Sequence, residues 1–154
     1  MIMAIDPGPV QSAYVLVYGK DDMRPISFNK LDNDTLMSRI YSCCTCGCKE
    51  VVIERFACYG MPVGEESLET VHWAGRFYQV STELEVSVSR IYRRDVKIHI
   101  CHNGRAKDSN VRQALIDRFG QVGTKANKGW FYGFAGDCWQ AYALAVAFAE
   151  AKED

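Results

Sequence analysis

Long apolar runs are missing from this chain of 154 residues. No stretch approaches the roughly 20 apolar residues that span a bilayer, so we expect no membrane contact. The N-terminus is apolar only as far as Ile5, before Asp6 and Pro7, which is not the pattern of a secretory signal peptide. Internal repeats and low-complexity linkers are also missing, and the length suffices for one hydrophobic core rather than two. We therefore predict one domain over residues 1–154.

The composition and the cysteines narrow the class of protein. Hydrophobic residues make up 48% of the chain, charged residues 24% and aromatic residues 12%, which excludes a disordered, collagen-like or coiled-coil protein. The seven cysteines are an odd number, and four lie within six residues, at Cys43, Cys44, Cys46 and Cys48. Such close spacing is poor geometry for paired disulfides, so we expect a reducing, cytoplasmic compartment.

The same cysteines resemble half of a zinc site. Cys43 and Cys46 have the Cys-x-x-Cys spacing, and Cys48 is a candidate third ligand. A structural Zn²⁺ site needs four ligands, however, and the sequence contains no second Cys-x-x-Cys pair. Cysteines near the end of a helix are also simply small apolar core residues. The sequence therefore favours a place in the core over a zinc site.

The formal net charge of −1 conceals an uneven distribution. Residues 90–128 carry ten Lys or Arg against three Asp, a net charge of +7, which leaves −8 on the remainder. A basic block beside an acidic remainder is typical of a protein that binds a polyanion with one face. A solvated charged surface is the alternative interpretation.

The hydrophobic pattern predicts one α/β domain with the element order β-β-β-α-β-α-β-α-α. The predicted strands cover residues 1–6, 12–18, 25–29, 51–53 and 96–100. The predicted helices cover residues 32–44, 65–84 and 137–151, with another that Ser109 caps and Gly120 ends. Three meandering strands followed by alternating elements predict a mixed sheet with helices on its faces. The segment from Gln121 to Gly136, rich in glycine and lysine, is predicted to be a mobile loop.

Three acidic residues stand where acids are energetically costly. Asp6 ends the first apolar strand, Glu54 follows the wholly apolar run 51–53, and Asp137 opens the apolar last helix. Ligands collect at the ends of central strands in α/β sheets, and clustered carboxylates repel one another unless cations neutralise them. Carboxylates suit Mg²⁺ or Mn²⁺, and two such ions about 3.5–4 Å apart can promote phosphodiester hydrolysis. Each acid also has a structural interpretation, as a turn residue, a solvated strand end and a helix cap.

The chain resembles the RuvC family of Holliday junction resolvases, within the RNase H-like superfamily, in four ordered phrases: MAIDPGPVQSAY, VVIERF, NGRAKDSNVRQALIDRFG and GDCWQAYALAVAF. The resemblance covers nearly the whole chain and is greatest for compact phage-type members. It implies an RNase H-like fold whose first three strands are antiparallel and whose later strands are parallel, with helices on both faces. It also implies a metal-dependent crossover junction endodeoxyribonuclease, usually a homodimer. Such an enzyme makes paired symmetric nicks in four-way DNA junctions in a bacterial or phage-infected cell.

The resemblance also assigns roles to individual residues. Asp6 matches the catalytic aspartate of the first strand, Glu54 the glutamate of the central strand, and Asp137 the first acid of the final-helix pair. Together they would bind Mg²⁺ or Mn²⁺, as two ions. Gln140 stands where the family has a second acid, and its carbonyl could ligate the second metal or orient a water. Lys107 matches the region of a phosphate-contacting lysine, just before a predicted helix start that favours phosphate.

Further residues are predicted to bind DNA. In the loop after the central strand, Phe56, Tyr59 and Met61 match the region that family members use to probe the junction centre, where stacking contributes about 1–3 kcal/mol per base. The basic residues predicted to grip the duplex arms are Arg93, Arg94, Arg105, Lys107, Lys125 and Lys128. Binding through such contacts weakens steeply with salt.

The helix from Glu65 to Leu84 has an apolar face wider than one sheet contact needs. One stripe of this face holds Leu68, Val71 and Tyr78. Together with the family likeness, this predicts a homodimer formed through this helix.

Other functions stay open at this stage. An RNase H-like nuclease could act on RNA hybrids, ribosomal RNA precursors or other branched DNA. A protein that binds junctions with weak or no cleavage is the alternative that the neutral Gln140 favours. The turn Asp6-Pro7-Gly8 is also typical of actin-like and sugar-kinase-like ATPases, but these need two such domains, and this chain has room for one.

Overall fold

A computed structural model describes residues 1–151 of the chain. Within them, five strands form a single sheet: β1 (Ile2–Asp6), β2 (Gln11–Gly19), β3 (Asp22–Asp32), β4 (Glu50–Arg55) and β5 (Ser87–Tyr92). The strand order is β3-β2-β1-β4-β5, and β1, β2 and β3 are antiparallel, whereas β4 is parallel to both β1 and β5. The predicted mixed sheet is confirmed.

Residues 1–151 contain five helices: α1 (Asn33–Thr45), α2 (Glu65–Glu83), α3 (Arg93–Cys101), α4 (Asp108–Phe119) and α5 (Cys138–Glu150). The helices α1 and α2 pack on one face of the sheet, and α3, α4 and α5 on the other. The last helix is buried on all sides from Cys138 to Ala149, as its apolar sequence predicts. None of these helices combines the length and apolarity that a bilayer crossing requires.

The central strands are apolar on both faces, and alternate residues serve different helices. Ala4 in β1 and Val52 in β4 pack toward α5, whereas Ile5 and Ile53 pack toward α1 and α2. All four side chains are 0% exposed. Since successive side chains of a strand point to opposite faces, this alternation determines which face the residue at each strand end occupies.

The predicted strand at residues 96–100 is wrong, because these residues belong to α3. Val96 is buried and Ile100 packs against the same core, while Ile98 is 44% exposed. Residues 96 and 100 lie one helical turn apart, so the alternating apolar pattern also fits one stripe of a helix. The fifth strand is β5, an edge strand whose partial burial gives only a weak apolar signal. Residues 1–151 therefore contain one helix more than predicted.

The start of α4 also differs from the prediction. The helix begins at Asp108 with Lys107 as its N-cap residue, so Ser109 is not the cap. The Lys107 N–H donates a hydrogen bond of 3.0 Å to Asn110 Oδ1. Gly120 ends the helix as predicted, with a φ of 119° that favours glycine.

Residues 121–136 are largely irregular, but they are anchored to the core. Phe131 is fully buried, and its ring centroid lies 4.7 Å from that of Trp139 in α5. Phe134 is 9% exposed and packs against Trp139 and Tyr142. The prediction of a mobile loop is therefore wrong for the part of the segment that leads into α5.

The cysteine cluster lies at the end of α1. Cys43, Cys44 and Cys48 are buried in the core between the sheet and the pair α1 and α2, whereas Cys46 is exposed. Burial raises the pKa of the Cys44 thiol to about 11, so this thiol is protonated at neutral pH. Three of the four side chains thus serve as small core residues.

Candidate active site

Asp6 and Glu54 end two neighbouring parallel strands on the same face of the sheet. The register pairs Ile5 with Ile53, so the next residue of each strand stands at the same edge. Asp6 alternates with Ile5, and Glu54 with Ile53, so both carboxylates lie on the face that α5 covers. The sheet thereby positions two acidic side chains side by side through backbone hydrogen bonds.

The Asp6 carboxylate is held in an unfavourable environment for a negative charge. The residue is 8% exposed, and no side chain within residues 1–151 makes a hydrogen bond or ion pair with its carboxylate. Its pKa is raised well above the ordinary value of 3.8, first by burial, then by the negative charge of Glu54 and, less strongly, of Asp137. Arg93 and Lys30 lower it only in part. Asp6 is thus a buried carboxylate that lacks a contacting cation.

Arg93 bridges Glu54 to the start of α4. Its Nη1 lies 3.4 Å from Glu54 Oε1, and its Nη2 lies 3.3 Å from Asp108 Oδ2. Lys97 Nζ also contacts Asp108, at 3.0 Å. Burial raises the pKa of Glu54, which Arg93 opposes; burial also acts on Asp108, but its bonds to Lys97 and Arg93 outweigh this effect and lower its pKa. A cation from the start of α3 therefore holds two acids of the site.

Asp137 occupies the N-cap position of α5 but caps nothing with its side chain. Its Oδ2 instead accepts a hydrogen bond of 2.6 Å from Lys30 Nζ in β3. Both side chains are about half exposed, at 46% and 47%. Hydrogen bonding to Asp137 raises the pKa of Lys30, so the ammonium ion is fully charged at neutral pH.

The turn that follows Asp6 is held by a small polar network. Gly8 N–H donates to Ser12 Oγ at 3.0 Å, and Ser12 Oγ donates to Asn33 Oδ1 at 2.6 Å. Asn33 Nδ2 returns a hydrogen bond to the Gly8 carbonyl at 3.0 Å. A Cβ at Gly8 would stand 2.2 Å from the Gln11 carbonyl oxygen, so only glycine fits here. The network fixes where β1 ends, and with it Asp6.

An open cleft of about 540 Å³ begins at this site and runs between α4 and α5. Its lining includes Asp108, Asp137, Arg112 and Gln140. Gln140 is 5% exposed and lies one turn after Asp137, as the sequence predicts. The cleft brings basic and acidic side chains together beside the sheet edge.

The acids described above suit the binding of one divalent cation, although they do not form a preformed cluster of metal ligands. Within residues 1–151, no three His, Cys, Asp or Glu side chains are gathered in an arrangement that would hold a metal ion. Mg²⁺ is commonly held by only one or two carboxylates, with water and substrate oxygens completing its shell. The buried Asp6 beside Glu54 meets this need, because a cation there would relieve the repulsion between them.

The residues predicted to bind DNA lie at the surface. Phe56, Tyr59 and Met61 are 39%, 64% and 71% exposed, in the loop after β4. Tyr59 has a φ of 48°, which non-glycine residues seldom adopt. The exposed basic residues are Arg94, Arg105, Lys107, Lys125 and Lys128, whereas Arg93 is engaged with the acids described above. Exposure is compatible with the predicted contacts to DNA.

One face of α2 is apolar and open to solvent. Leu68 is 60% exposed, Val71 44% and Tyr78 37%, whereas Phe77 and Val80 are buried against the sheet. A pocket beside this face is lined by residues that include Glu54 and Phe56. The outer stripe of α2 therefore adjoins the end of β4 and the loop that follows it.

Sequence reasoning missed the cations that neutralise the acids. Lys30 and Asp137 are separated by 107 positions in the chain, and nothing in the β3 sequence indicates such a contact. Arg93 was predicted to contact DNA, but it pairs with Glu54 because β5 ends at Tyr92 and α3 begins directly beside the site. A correct prediction of β5 would have indicated that Arg93 lies beside Glu54.

Solved structures of RuvC are similar to this chain in fold, at low sequence identity. No protein-family model matches the chain, and no curated protein sequence matches it. The Thermus thermophilus RuvC structure matches with a TM-score of 0.69 and 20% identity, covering 99% of this chain and 95% of that chain. A structure of T. thermophilus RuvC in complex with Holliday junction substrate matches with a TM-score of 0.72 and 16% identity, covering 99% and 94%. The chain has the fold of RuvC.

The RuvC match confirms the RNase H-like α/β fold that the sequence predicts. The alignment extends over almost the full length of both chains, so the comparison is between whole folds rather than a shared part. With 16% and 20% identity, the likeness to RuvC concerns the backbone. The roles of the individual site residues and the phage-type assignment stay predictions.

Proposed function

We propose that this protein is a metal-dependent endonuclease that resolves four-way DNA junctions by paired symmetric nicks. The observation that carries the proposal is the pair Asp6 and Glu54 at the ends of β1 and β4, where a buried carboxylate lacks a contacting cation. The RuvC fold supports it, since one of the matching structures is RuvC in complex with Holliday junction substrate. A phosphodiesterase that works with divalent cations needs such a pair of acids.

The acidic and basic residues of the site would have different roles in cleavage. Asp6 and Glu54 would hold Mg²⁺ or Mn²⁺, which activates water and stabilises the charge of the phosphate, and Asp137 completes the acidic site. Arg93 orients the Glu54 carboxylate through its contact of 3.4 Å. Lys107, at the N-cap of α4, would contact a phosphate of the DNA backbone.

The exposed basic and aromatic residues would bind the junction itself. Arg94, Arg105, Lys125 and Lys128 are exposed and would contact the duplex arms, which makes binding dependent on salt. The loop carrying Phe56, Tyr59 and Met61 is exposed enough to stack on unpaired bases at the junction centre. The open cleft between α4 and α5 offers a path for one strand past the acids.

Two symmetric nicks require two copies of the site, and we propose that α2 joins them. Replacing Leu68 and Val71 by glutamate should convert a dimer to a monomer of 17.4 kDa, because both side chains lie on the exposed apolar stripe. Light scattering at micromolar concentration measures the mass. Ile26→Glu, which changes an exposed residue of β3, is the control that should leave the dimer intact. A wild-type chain that is already monomeric would contradict this arrangement.

A second candidate function is junction binding without cleavage. It is favoured by the neutral Gln140 and by the ion pairs that Arg93 and Lys30 already make with Glu54 and Asp137. In that case the protein would recognise the junction, but its acids would be neutralised by its own side chains. The two functions differ in whether added Mg²⁺ or Mn²⁺ leads to nicking.

The deciding experiment incubates the protein with a labelled four-way junction, with and without Mg²⁺, and maps the nicks. We expect nicks at symmetric positions on two strands that appear only with the divalent cation. Linear duplex DNA, other branched DNA and RNA–DNA hybrids of the same sequence serve as competing substrates. Strong preference for an RNA substrate would show that RNA, and not the junction, is the target. Tight junction binding without any nick would establish the binding function instead.

A further inference from the structure

The three acids of the site differ in what already neutralises them. Asp6 is 8% exposed and has no contacting cation within residues 1–151. Glu54 shares Arg93 with Asp108, at the long distance of 3.4 Å. Asp137 has a cation of its own, because Lys30 Nζ lies 2.6 Å from its Oδ2. The site therefore lacks a contacting cation at Asp6 and has only a shared one at Glu54, whereas Asp137 has a cation of its own.

Asp6 is the acid whose negative charge acts together with that of Asp137, and the other groups near Asp137 add little to attract a second cation. One turn along α5 stands Gln140, which is buried and neutral. The cleft is also lined by Asp108, which is already paired with both Arg93 and Lys97. A second divalent ion beside Asp137 would have to displace the Lys30 ammonium ion and share Asp6 with the first ion.

Lys30 is also in a suitable place to meet a substrate. Its side chain is 47% exposed and it approaches Asp137 from the edge of the sheet. Its charge also acts on Asp6, so the ammonium ion lies close to both acids. A DNA phosphate that reaches the buried carboxylates would come near this ammonium ion.

We propose, on the basis of the nuclease function above, that each chain binds one divalent cation between Asp6 and Glu54, and that the Lys30 ammonium ion, oriented by Asp137, takes the place of a second. The contact of 2.6 Å with Asp137 fixes the ammonium ion, and its strand, β3, lies on the side of β1 opposite to β4, the strand of Glu54. From there it stabilises the negative charge that develops on the scissile phosphate. Lys30 is then a catalytic residue, and Asp137 is its positioning residue.

The reaction needs no proton from Lys30. A water oxygen forms a bond to phosphorus while the bond between phosphorus and the leaving sugar oxygen breaks. The water releases its proton to solvent, and the leaving oxygen takes one from solvent. Lys30 keeps its proton throughout and contributes its charge, which preorganised cations provide without reorganisation in the transition state.

The number of bound ions tests the proposal without any cleavage. Calorimetry or electron paramagnetic resonance with Mn²⁺ alone should give one ion per wild-type chain, which Asp6→Asn abolishes and Asp137→Asn retains. The double variant Lys30→Gln with Gln140→Asp should bind two, because it removes the ammonium ion and restores a second acid. Two ions in the wild type, no ion at all, loss of the ion in Asp137→Asn, or one ion in the double variant would each overturn the proposal.

Cleavage of the labelled junction gives an independent test. Lys30→Gln should slow nicking on the order of 100-fold while still binding one Mn²⁺ ion, and Lys30→Arg should restore part of the rate because it keeps the charge. Lys49→Gln is the matched control, since this exposed lysine lies at the opposite end of β4. Full activity of Lys30→Gln would rule out the role.

The outcomes separate this inference from the proposed function. If the wild type cleaves junctions and binds two ions, the nuclease function stands and the role of Lys30 fails. If the wild type binds one ion but cuts no substrate, the one-ion site stands, whereas both the nuclease function and the catalytic role of Lys30 fail. The measurement of ion number therefore does not depend on the choice of DNA substrate.

Discussion

Asp6→Asn is expected to abolish Mg²⁺-dependent cleavage and, in the absence of metal, to raise the melting temperature. Asparagine keeps the size of the side chain but cannot supply the charge that a divalent cation needs, so nicking should fall by about a thousandfold or more. The ionised carboxylate is buried beside Glu54 without a contacting cation, which destabilises the fold, and the neutral amide removes this cost. Junction binding, which we propose depends on the basic surface, should be retained.

The pH dependence of stability provides the check on this reasoning. The pKa of Asp6 is higher in the fold than its ordinary value of 3.8, so between the two values the folded state binds more protons than the unfolded state. The contribution of Asp6 to the free energy of unfolding therefore decreases as the pH rises above 3.8. Thermal melts in EDTA across this range should show a shallower decrease for Asp6→Asn than for the wild type.

Asp32→Asn is the control for this comparison. Asp32 is an exposed N-cap residue whose pKa is lowered by hydrogen bonds from Thr35, and asparagine is an equally good cap. This variant should cleave normally and should not gain stability. Unchanged cleavage by Asp6→Asn would remove Asp6 from the active site.

Phe131→Ala is expected to destabilise the protein by about 3–5 kcal/mol, the largest effect on stability that we predict. The ring is 0% exposed and contacts Phe119, Phe134, Trp139 and Tyr142. Alanine would leave a cavity that these neighbouring rings cannot close without losing their edge-to-face contacts. Denaturation by urea, monitored by tryptophan fluorescence and by circular dichroism, measures the loss.

The same variant should also weaken cleavage at temperatures where it is still folded. Phe131 anchors the segment that enters α5, and Asp137 stands at the start of that helix. Phe56→Ala is the matched control for stability alone, because Phe56 is 39% exposed and its removal should leave the free energy of unfolding within about 0.5 kcal/mol of the wild type. A loss of less than 1 kcal/mol in Phe131→Ala would contradict the anchoring role.

The strands and their terminal acids could be predicted because their signals are local. The wholly apolar run 51–53 marks a central strand, and the acid that follows it stands at the sheet edge whatever the rest of the chain does. The same holds for Asp6 after β1. The burial of α5 could be predicted equally well, since a helix that is apolar all round has to be buried.

The neutralising contacts could not be predicted because they depend on how separate elements meet. Lys30 reaches Asp137 only because β3 and the start of α5 come together at the sheet edge, across 107 positions of sequence. Arg93 was predicted to contact DNA because it lies in the basic block of residues 90–128, and residues 96–100 were separately predicted to be a strand. The pattern of Val96 and Ile100 fits one stripe of a helix as well. β5, at the edge of the sheet, has too few apolar residues to be predicted as a strand.

The ladder between β1 and β4 has a consequence for how such a protein can diversify. Ile5 and Ile53 are in register through main-chain bonds, which no single substitution of a side chain can shift. The spacing of Asp6 and Glu54 is therefore inherited with the backbone. Lys30 and Gln140, by contrast, come from β3, which is hydrogen-bonded to neither β1 nor β4, and from α5, so substitutions at these two positions would change the charge of the site without moving Asp6 and Glu54.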